Sequence, residues 1–194
     1  MSHSQEHSHA QESQGILSPF LSKQRYKHTS CYITPNDLVL DLGCGSGGLK
    51  AYLPPNSQYF GLDSEKQWEG EKPHLFKVKV GDKLPKELQD KKFSVVTALA
   101  VIEHLKSPQA LFRSASKFLN NSGRLIITTP HPIGEKIHAL GASVGVFSKH
   151  ASDEHESLLD KKMLANLAIK EGFSMIYYRR FLIGMNQIAV FEKK

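Results

Sequence analysis

One glycine-rich turn constrains the fold of this chain more than any other feature, and it reads DLGCGSGG at residues 41–48. The turn directly follows the apolar run Leu38–Leu40, which predicts a buried strand. We expect a short helix around Leu49–Leu53 next, ended by Pro54 and Pro55. The free N–H groups at the N-terminus of this helix would favour an anionic ligand group. Glycine admits positive φ angles and lets a ligand approach the backbone without meeting a Cβ atom. A tight turn without a ligand is the simpler alternative, but ligands bind at the carboxyl ends of parallel strands, so this position favours a ligand site.

Strand-like and helix-like patterns alternate along the rest of the chain. Further strands are predicted at Tyr59–Leu62, Leu75–Val80, Phe93–Val101 and Arg124–Thr129. Helices are predicted from Ile16 to about Ser30, at Pro108–Leu119 and at about Leu158–Glu171. This alternation predicts an α/β fold with a parallel sheet covered by helices on both faces. Two last strand-like runs, Phe173–Leu182 and Gln187–Phe191, are joined by a short connection, which predicts an antiparallel C-terminal hairpin.

The length of 194 residues favours one domain. Residues 1–15 are polar and lack apolar periodicity, so we assign them to a disordered tail and residues 16–194 to a single domain. No run approaches the ~20 apolar residues that a membrane span needs. Two cysteines, Cys31 and Cys44, make no disulfide framework, which predicts a cytoplasmic location. The oligomeric state is not indicated by any pattern.

The ligand of the glycine turn has two candidates. Gly43, Gly45 and Gly48 fit the G-x-G-x-x-G fingerprint of dinucleotide-binding proteins. Three observations favour a different ligand: Asp41 precedes the first glycine by two residues and can attract a cationic group, no second substrate domain follows, and the chain closes with the predicted hairpin.

The segment Val39–Gly47 resembles motif I of the class I S-adenosylmethionine-dependent methyltransferases. Further segments follow in the order of that family: Phe60–Asp63, Val80–Asp82, Phe93–Val96, Val101–Leu105, Gly123–Ile127 and Gly172–Phe173. The resemblance covers residues 37–191, and motif I together with the Glu-His-Leu block indicates the small single-domain branch. It implies a Rossmann-like, doubly wound, seven-stranded sheet, S-adenosylmethionine as the cofactor, and methyl transfer as the reaction.

The resemblance also implies the residues that bind the cofactor. Asp63, at the end of the second strand, is expected to accept hydrogen bonds from both ribose hydroxyls. Asp41 is expected to face the cationic methionine part, and Asp82 the adenine amine, with Leu62 and Lys83 flanking the adenine. The other expected contacts are backbone or apolar groups: Gly43, Cys44, Gly45, Gly47, Ala98 and Leu99.

Two histidines are candidates for the catalytic base. Methyl transfer is an in-line displacement that depends mainly on orientation, and a base is needed only if the acceptor must lose a proton. His104, just after the fourth strand, and His131, after the fifth, are both expected near the reacting groups. A purely structural role for Glu103 and His104, steadying their loop, is the alternative.

A metal-assisted reaction is a further alternative. The block Val101–Leu105 with the later His155 resembles metal-assisted RNA 3′-end methyltransferases and some quinone-ring O-methyltransferases. Those families carry a carboxylate near the position of Ala100, and this chain does not. We therefore expect no metal.

The sequence leaves three classes of function open. A single compact domain favours a small-molecule acceptor, with transfer to oxygen as one option. The net charge of +6 and the lysines between Lys77 and Lys92 permit an RNA or protein acceptor, although they lack the interleaved aromatic residues of nucleic-acid grooves. The strand at residues 93–101 is not followed by an Asn/Asp-Pro-Pro-aromatic signature, which disfavours methylation of bases or side-chain amides. A non-catalytic cofactor-binding protein or a nicotinamide enzyme is the third class.

Overall fold

The computed structural model of the protein describes residues 7–65, 67–134 and 158–194. Seven strands lie within these ranges: β1 (Leu38–Leu42), β2 (Gln58–Asp63), β3 (Leu75–Lys77), β4 (Phe93–Leu99), β5 (Leu119–Pro130), β6 (Phe173–Phe181) and β7 (Asn186–Lys193). The helices there are α1 (His7–Ser30), α2 (Pro108–Phe118) and α3 (Lys161–Lys170). Short 3₁₀ turns cover Gly48–Tyr52, Lys86–Leu88 and Ile102–His104.

All seven strands form one sheet in the order β3-β2-β1-β4-β5-β7-β6. The pairs from β3 to β5 are parallel, whereas β7 runs antiparallel to both β5 and β6. In this register Leu42 lies beside Leu62 on one side and Ala98 on the other. We call the edge at which β1, β2, β4 and β5 end the C-terminal edge. The predicted mostly parallel sheet with an antiparallel C-terminal hairpin is confirmed.

The two faces of the sheet carry separate hydrophobic clusters, because successive side chains of a strand point to opposite faces. On one face Val39, Tyr59 and Val95 pack with Tyr26 of α1. On the other face Leu40 and its neighbours pack with residues of α2 and α3, among them Phe112, Ala115, Leu164 and Ala168. The sheet is therefore covered on both sides, as the alternating sequence pattern predicted.

The predicted disordered tail differs from the structure in part. Helix α1 begins at His7, so residues 7–15, which we assigned to a disordered tail, form its first turns. No proline or β-branched residue interrupts this segment, and Ala10, Gln11 and Glu12 favour a helix. The assignment of residues 16–194 to one domain stays a prediction.

The short helix predicted after the glycine turn is a five-residue 3₁₀ turn, Gly48–Tyr52. Leu53 is already extended at φ −75° and ψ 146°, as a residue before proline prefers. The predicted helix therefore begins one residue earlier than expected and ends before Pro54. In the part of the chain that the structure describes, no helix combines the length and the apolar character needed to cross a membrane.

Candidate functional site

The glycine turn is tied to the end of β2. The N–H groups of Gly43 and Cys44 both donate to the carbonyl oxygen of Leu62, at N···O distances of 2.7 and 3.0 Å. Gly43 has a φ of +71°, and a Cβ atom there would collide with the side chain of Val101. A side chain at Gly61 would place its Cβ 2.6 Å from the Cys44 sulfur. The turn therefore needs these glycines for its own conformation and for its close approach to β2.

Asp63 links the end of β2 to the turn through its carboxylate. Its Oδ2 atom accepts a hydrogen bond from the Gly45 N–H at 2.8 Å, and its Oδ1 atom accepts one from the Glu65 N–H at 3.0 Å. The residue is only 7% exposed, yet it lines the cleft described below. Because each carboxylate oxygen has two lone pairs, both oxygens keep capacity for a further donor.

Asp41 lies behind the turn and does not line the cleft. The Tyr59 hydroxyl donates to its Oδ2 atom at 2.8 Å, and the Thr97 hydroxyl donates to its Oδ1 atom at 2.6 Å. Burial raises the pKa of the Asp41 carboxyl to about 6, although the two hydroxyl donors oppose the shift. Asp41 therefore joins β1 to both neighbouring strands, and the expected direct contact with the methionine part of a cofactor has no counterpart in the cleft lining.

A cleft of about 500 Å³ opens at the C-terminal edge, in front of the glycine turn. Of the predicted cofactor-binding residues, those that line it are Gly43, Cys44, Gly45, Asp63 and Leu99. Its other lining residues are Ser22, Tyr26, Ser46, Ser64, Gln67, Val78, Lys79, Val80, Ala100, Val101, His104 and Leu105. The structure thus brings together the ends of β1, β2 and β4, the segment after β3, and helix α1.

The remaining predicted cofactor-binding residues lie outside the cleft lining. Leu62 and Ala98 are buried in the hydrophobic core beneath it. Asp82 and Lys83 are exposed, next to the lining segment that ends at Val80. Gly47, at φ +80°, shapes the turn instead of facing the cleft.

Sequence reasoning missed the contribution of α1. Ser22 and Tyr26 line the cleft, and the Tyr26 ring packs against Tyr52 with centroids 5.4 Å apart. Burial raises the pKa of the Tyr26 hydroxyl, which keeps it protonated. Their positions depend on how α1 docks on the sheet, and no motif in the sequence marks them. Ala100 was noted only as the place of a missing carboxylate, and it lines the cleft at an unusual φ of +58°.

His104 is exposed at the end of the 3₁₀ turn Ile102–His104, and it is one of the residues that line the cleft. The preceding residue, Glu103, is 1% exposed and accepts a hydrogen bond from the Thr129 hydroxyl at 2.9 Å. The charge of Glu103 also stabilises the Arg25 guanidinium, whose pKa burial lowers. Glu103 therefore fixes the turn to β5 through Thr129, and the next residue, His104, lies at the surface of the cleft.

His131 does not line the cleft. Its backbone N–H donates to the Met185 carbonyl oxygen at 2.8 Å, and its ring Nδ1 atom accepts a hydrogen bond from the Ile133 backbone N–H at 3.1 Å. Burial lowers the pKa of the His131 imidazole, and the Arg180 charge adds to this effect. The structure thus separates His131 from the cleft that His104 lines.

Among residues 7–65, 67–134 and 158–194, no cluster of three or more His, Cys, Asp or Glu side chains is arranged to hold a metal ion. His155, which we weighed as a metal ligand together with His104, lies outside the described residues.

Residues 20–178 match a family described as "Methyltransferase domain". The chain belongs to this family. The matched range contains the glycine turn, Asp63 and His104. Membership confirms the predicted methyltransferase family.

One relative agrees with this family. Phosphoethanolamine N-methyltransferase 3 of Arabidopsis thaliana is 32% identical over 105 residues, which make up 50% of this chain and 21% of that relative. The chain thus matches about a fifth of the length of this relative.

Solved structures share the fold. A chain from the complex between the Haloferax volcanii Trm112 methyltransferase activator and a methyltransferase has a TM-score of 0.68 and 13% identity, covering 94% of this chain and 96% of that one. The magnesium protoporphyrin IX methyltransferase of Synechocystis PCC 6803, solved with bound SAH, has a TM-score of 0.59 and 17% identity, covering 96% and 83%.

Proposed function

We propose that this chain transfers the methyl group of S-adenosylmethionine to a small-molecule acceptor in the cleft at the C-terminal edge. The observation that carries the proposal is the buried Asp63 carboxylate, held 2.8 Å from the Gly45 N–H and facing the cleft. The cleft volume of about 500 Å³ lies in the ~300–1,000 Å³ range of small-molecule sites.

The residues around the cleft fit the cofactor chemically. Asp63 offers one unused acceptor position on each oxygen, which suits the two hydroxyls of a ribose. Val78 and Val80 offer apolar walls for the adenine, beside the predicted Asp82 and Lys83. When bound, S-adenosylmethionine supplies an electrophilic methyl group on its sulfonium.

The chain contributes orientation, exclusion of water and, where the acceptor carries a proton, a base. Holding the acceptor in line with the methyl group can lower the barrier by roughly 7–11 kcal/mol. Leu99, Val101 and Leu105 line the cleft with apolar surface that excludes water. We assign the base to His104, because it is the histidine that the cleft lining contains. His131, predicted as a second catalytic residue, is the weaker candidate, since it lies outside that lining.

The small size of the cleft supports a metabolite as the acceptor. The Arabidopsis relative is named for methyl transfer to the nitrogen of phosphoethanolamine, which adds an amine to the oxygen acceptors considered above. RNA is the second candidate, favoured by the net charge of +6 and by Lys79 in the cleft lining.

A methyl-labelling experiment tests the proposal. The chain is incubated with S-adenosylmethionine carrying a labelled methyl group and with separate small-molecule, RNA and protein fractions of a cell extract. We expect label in the small-molecule fraction, whereas label in RNA that declines steeply with added salt would establish the second candidate. Calorimetry that detects no binding of S-adenosylmethionine would overturn the enzymatic proposal altogether.

The role of His104 is tested with the acceptor that this screen finds. His104→Ala should lower kcat about a hundredfold for a hydroxyl acceptor while leaving cofactor affinity unchanged. His131→Ala serves as the matched control, and it should retain most of the activity. An unaltered rate for His104→Ala would leave this histidine with a structural role only.

A further inference from the structure

A second cavity, of about 410 Å³, lies between α2 and α3. We call it the α2–α3 groove. Leu105 lines both this groove and the cofactor cleft, so the two cavities meet at this side chain. From Leu105 the groove follows α3 from Met163 to Lys170, a rise of about 10 Å for seven helical residues. One end of the groove thus adjoins the place where methyl transfer is proposed.

The walls of the groove are mainly apolar. Leu105, Leu159 and Leu167 line it, and Met163, which also lines it, is 46% exposed to solvent. Just beyond the groove, Arg113 of α2 and Glu171 after α3 form an ion pair at 3.0 Å, which ties the two helices together. A mainly apolar groove with a half-exposed methionine is suited to an apolar ligand, because burying such surface is favourable.

The charged residues in the described lining of the groove are all basic. Lys106 and Lys170 belong to its lining, and among its described lining residues there is no Asp or Glu. Lys106 follows Leu105 directly, so its backbone lies next to the residue at which the groove meets the cofactor cleft. An anionic group on the ligand would therefore be complemented at the same end as the reacting centre.

We propose that the α2–α3 groove binds the alkyl chain of an amphiphilic, anionic methyl acceptor, whose head group lies at Lys106 and reaches the cofactor cleft past Leu105. A peptide fits the lining less well, because its backbone would need hydrogen-bond partners along its whole length. Among the described lining residues, Gln109 and Asn166 alone have neutral polar side chains, which are too few for this purpose. An alkyl chain needs none. This assignment of the acceptor class rests on the proposed function.

A fluorescence titration of the full chain with a dansyl-labelled undecanoic acid tests the groove. We expect saturable binding that Met163→Glu weakens by about tenfold, because the substitution places a carboxylate in the apolar channel and repels the probe's own charge. Ile169→Glu is the matched control: Ile169 lies on the same helix and is 64% exposed, but it does not line the groove. The control should bind like the unaltered chain. Equal loss in both variants, or no loss in either, would overturn the proposal.

A competition experiment tests the charge of the groove lining. Dodecanoic acid and the neutral dodecanol are each used to displace the probe. Lys106→Met should weaken displacement by the acid about fivefold and leave displacement by the alcohol unaltered. An equal effect on both competitors would contradict an anionic head group at Lys106.

Calorimetry with S-adenosylhomocysteine on the same proteins separates this proposal from the proposed function. We expect the unaltered chain and all three variants to bind it equally, with or without the probe. Displacement of the probe by S-adenosylhomocysteine would mean that the probe occupies the cofactor cleft, which would overturn the groove assignment alone. Failure of the unaltered chain to bind S-adenosylhomocysteine would instead overturn the proposed function.

Discussion

Asp41 and Asp63 look alike in the sequence, since each closes an apolar strand pattern, but their surroundings differ. Asp41 lies between β2 and β4, where Tyr59 and Thr97 hydroxyls occupy its two oxygens. Asp63 is the last residue of β2, and its oxygens accept from backbone N–H groups while the carboxylate still lines the cleft. The donors around each carboxylate thus separate Asp41, which joins strands through side-chain hydroxyls, from Asp63, which can hold a ligand.

The largest expected effect concerns the charge of Asp41. Its pKa is about 6 in the folded protein against a usual value of 3.8, so between these values the folded state binds more protons than the unfolded state. Stability conferred by the protonated carboxyl is complete below pH 3.8 and is lost as the pH rises towards 6 and above. The difference of about two pKa units corresponds to about 3 kcal/mol.

Asp41→Asn removes this titration and keeps the side-chain size. We expect the variant to match the unaltered protein near pH 4 and to exceed its free energy of unfolding by up to about 3 kcal/mol at pH 7. Urea denaturation at both pH values measures the difference. Comparison with the unaltered chain cancels other groups, such as Asp37, whose pKa is lowered. Parallel pH profiles would contradict the burial argument.

The next effect concerns Asp63. Asp63→Ala removes the acceptor proposed for the ribose hydroxyls, and we expect the dissociation constant of S-adenosylhomocysteine to rise about thirtyfold, or ~2 kcal/mol. Asp90→Ala, at an exposed acidic position outside the cleft lining, is the matched control and should bind normally. Calorimetry measures both, and circular dichroism verifies the fold. Unaltered affinity in Asp63→Ala would argue against the ribose assignment.

The sequence was sufficient for the mostly parallel sheet with its antiparallel hairpin, and for placing the glycine turn, Asp63 and His104 at one edge, because these follow from alternation and from the carboxyl ends of parallel strands. It could not separate Asp41 from Asp63, since that difference depends on Tyr59 and Thr97, which are far apart in the chain. Ser22 and Tyr26 were missed for a related reason: only the docking of α1 brings them to the cleft.

A smaller effect would sharpen the assignment of Asp41. If this carboxyl acts only behind the turn, Asp41→Asn should alter the affinity for S-adenosylhomocysteine less than about threefold, well below the effect of Asp63→Ala. The same calorimetric series provides the measurement. A loss as large as that of Asp63→Ala would restore the direct contact with the methionine part that the sequence suggested.

The smallest effect separates the two hydrogen bonds to Asp41. Tyr59→Phe removes the donor at 2.8 Å and keeps the ring in the core, so it should cost about 1 kcal/mol of stability at pH 7. Because that donor favours the charged form, its loss should also raise the pKa of Asp41 further above 6. The free energy of unfolding of Tyr59→Phe, compared with that of Asp41→Asn, should then continue to fall at higher pH than it does for the unaltered protein. Urea denaturation between pH 5 and pH 8 measures this difference. Tyr52→Phe, a tyrosine that packs on Tyr26 away from this carboxyl, is the control. If Tyr59→Phe left the titration of Asp41 in place, the carboxyl would be held by Thr97 alone, and the link from β1 to β2 would depend on the backbone.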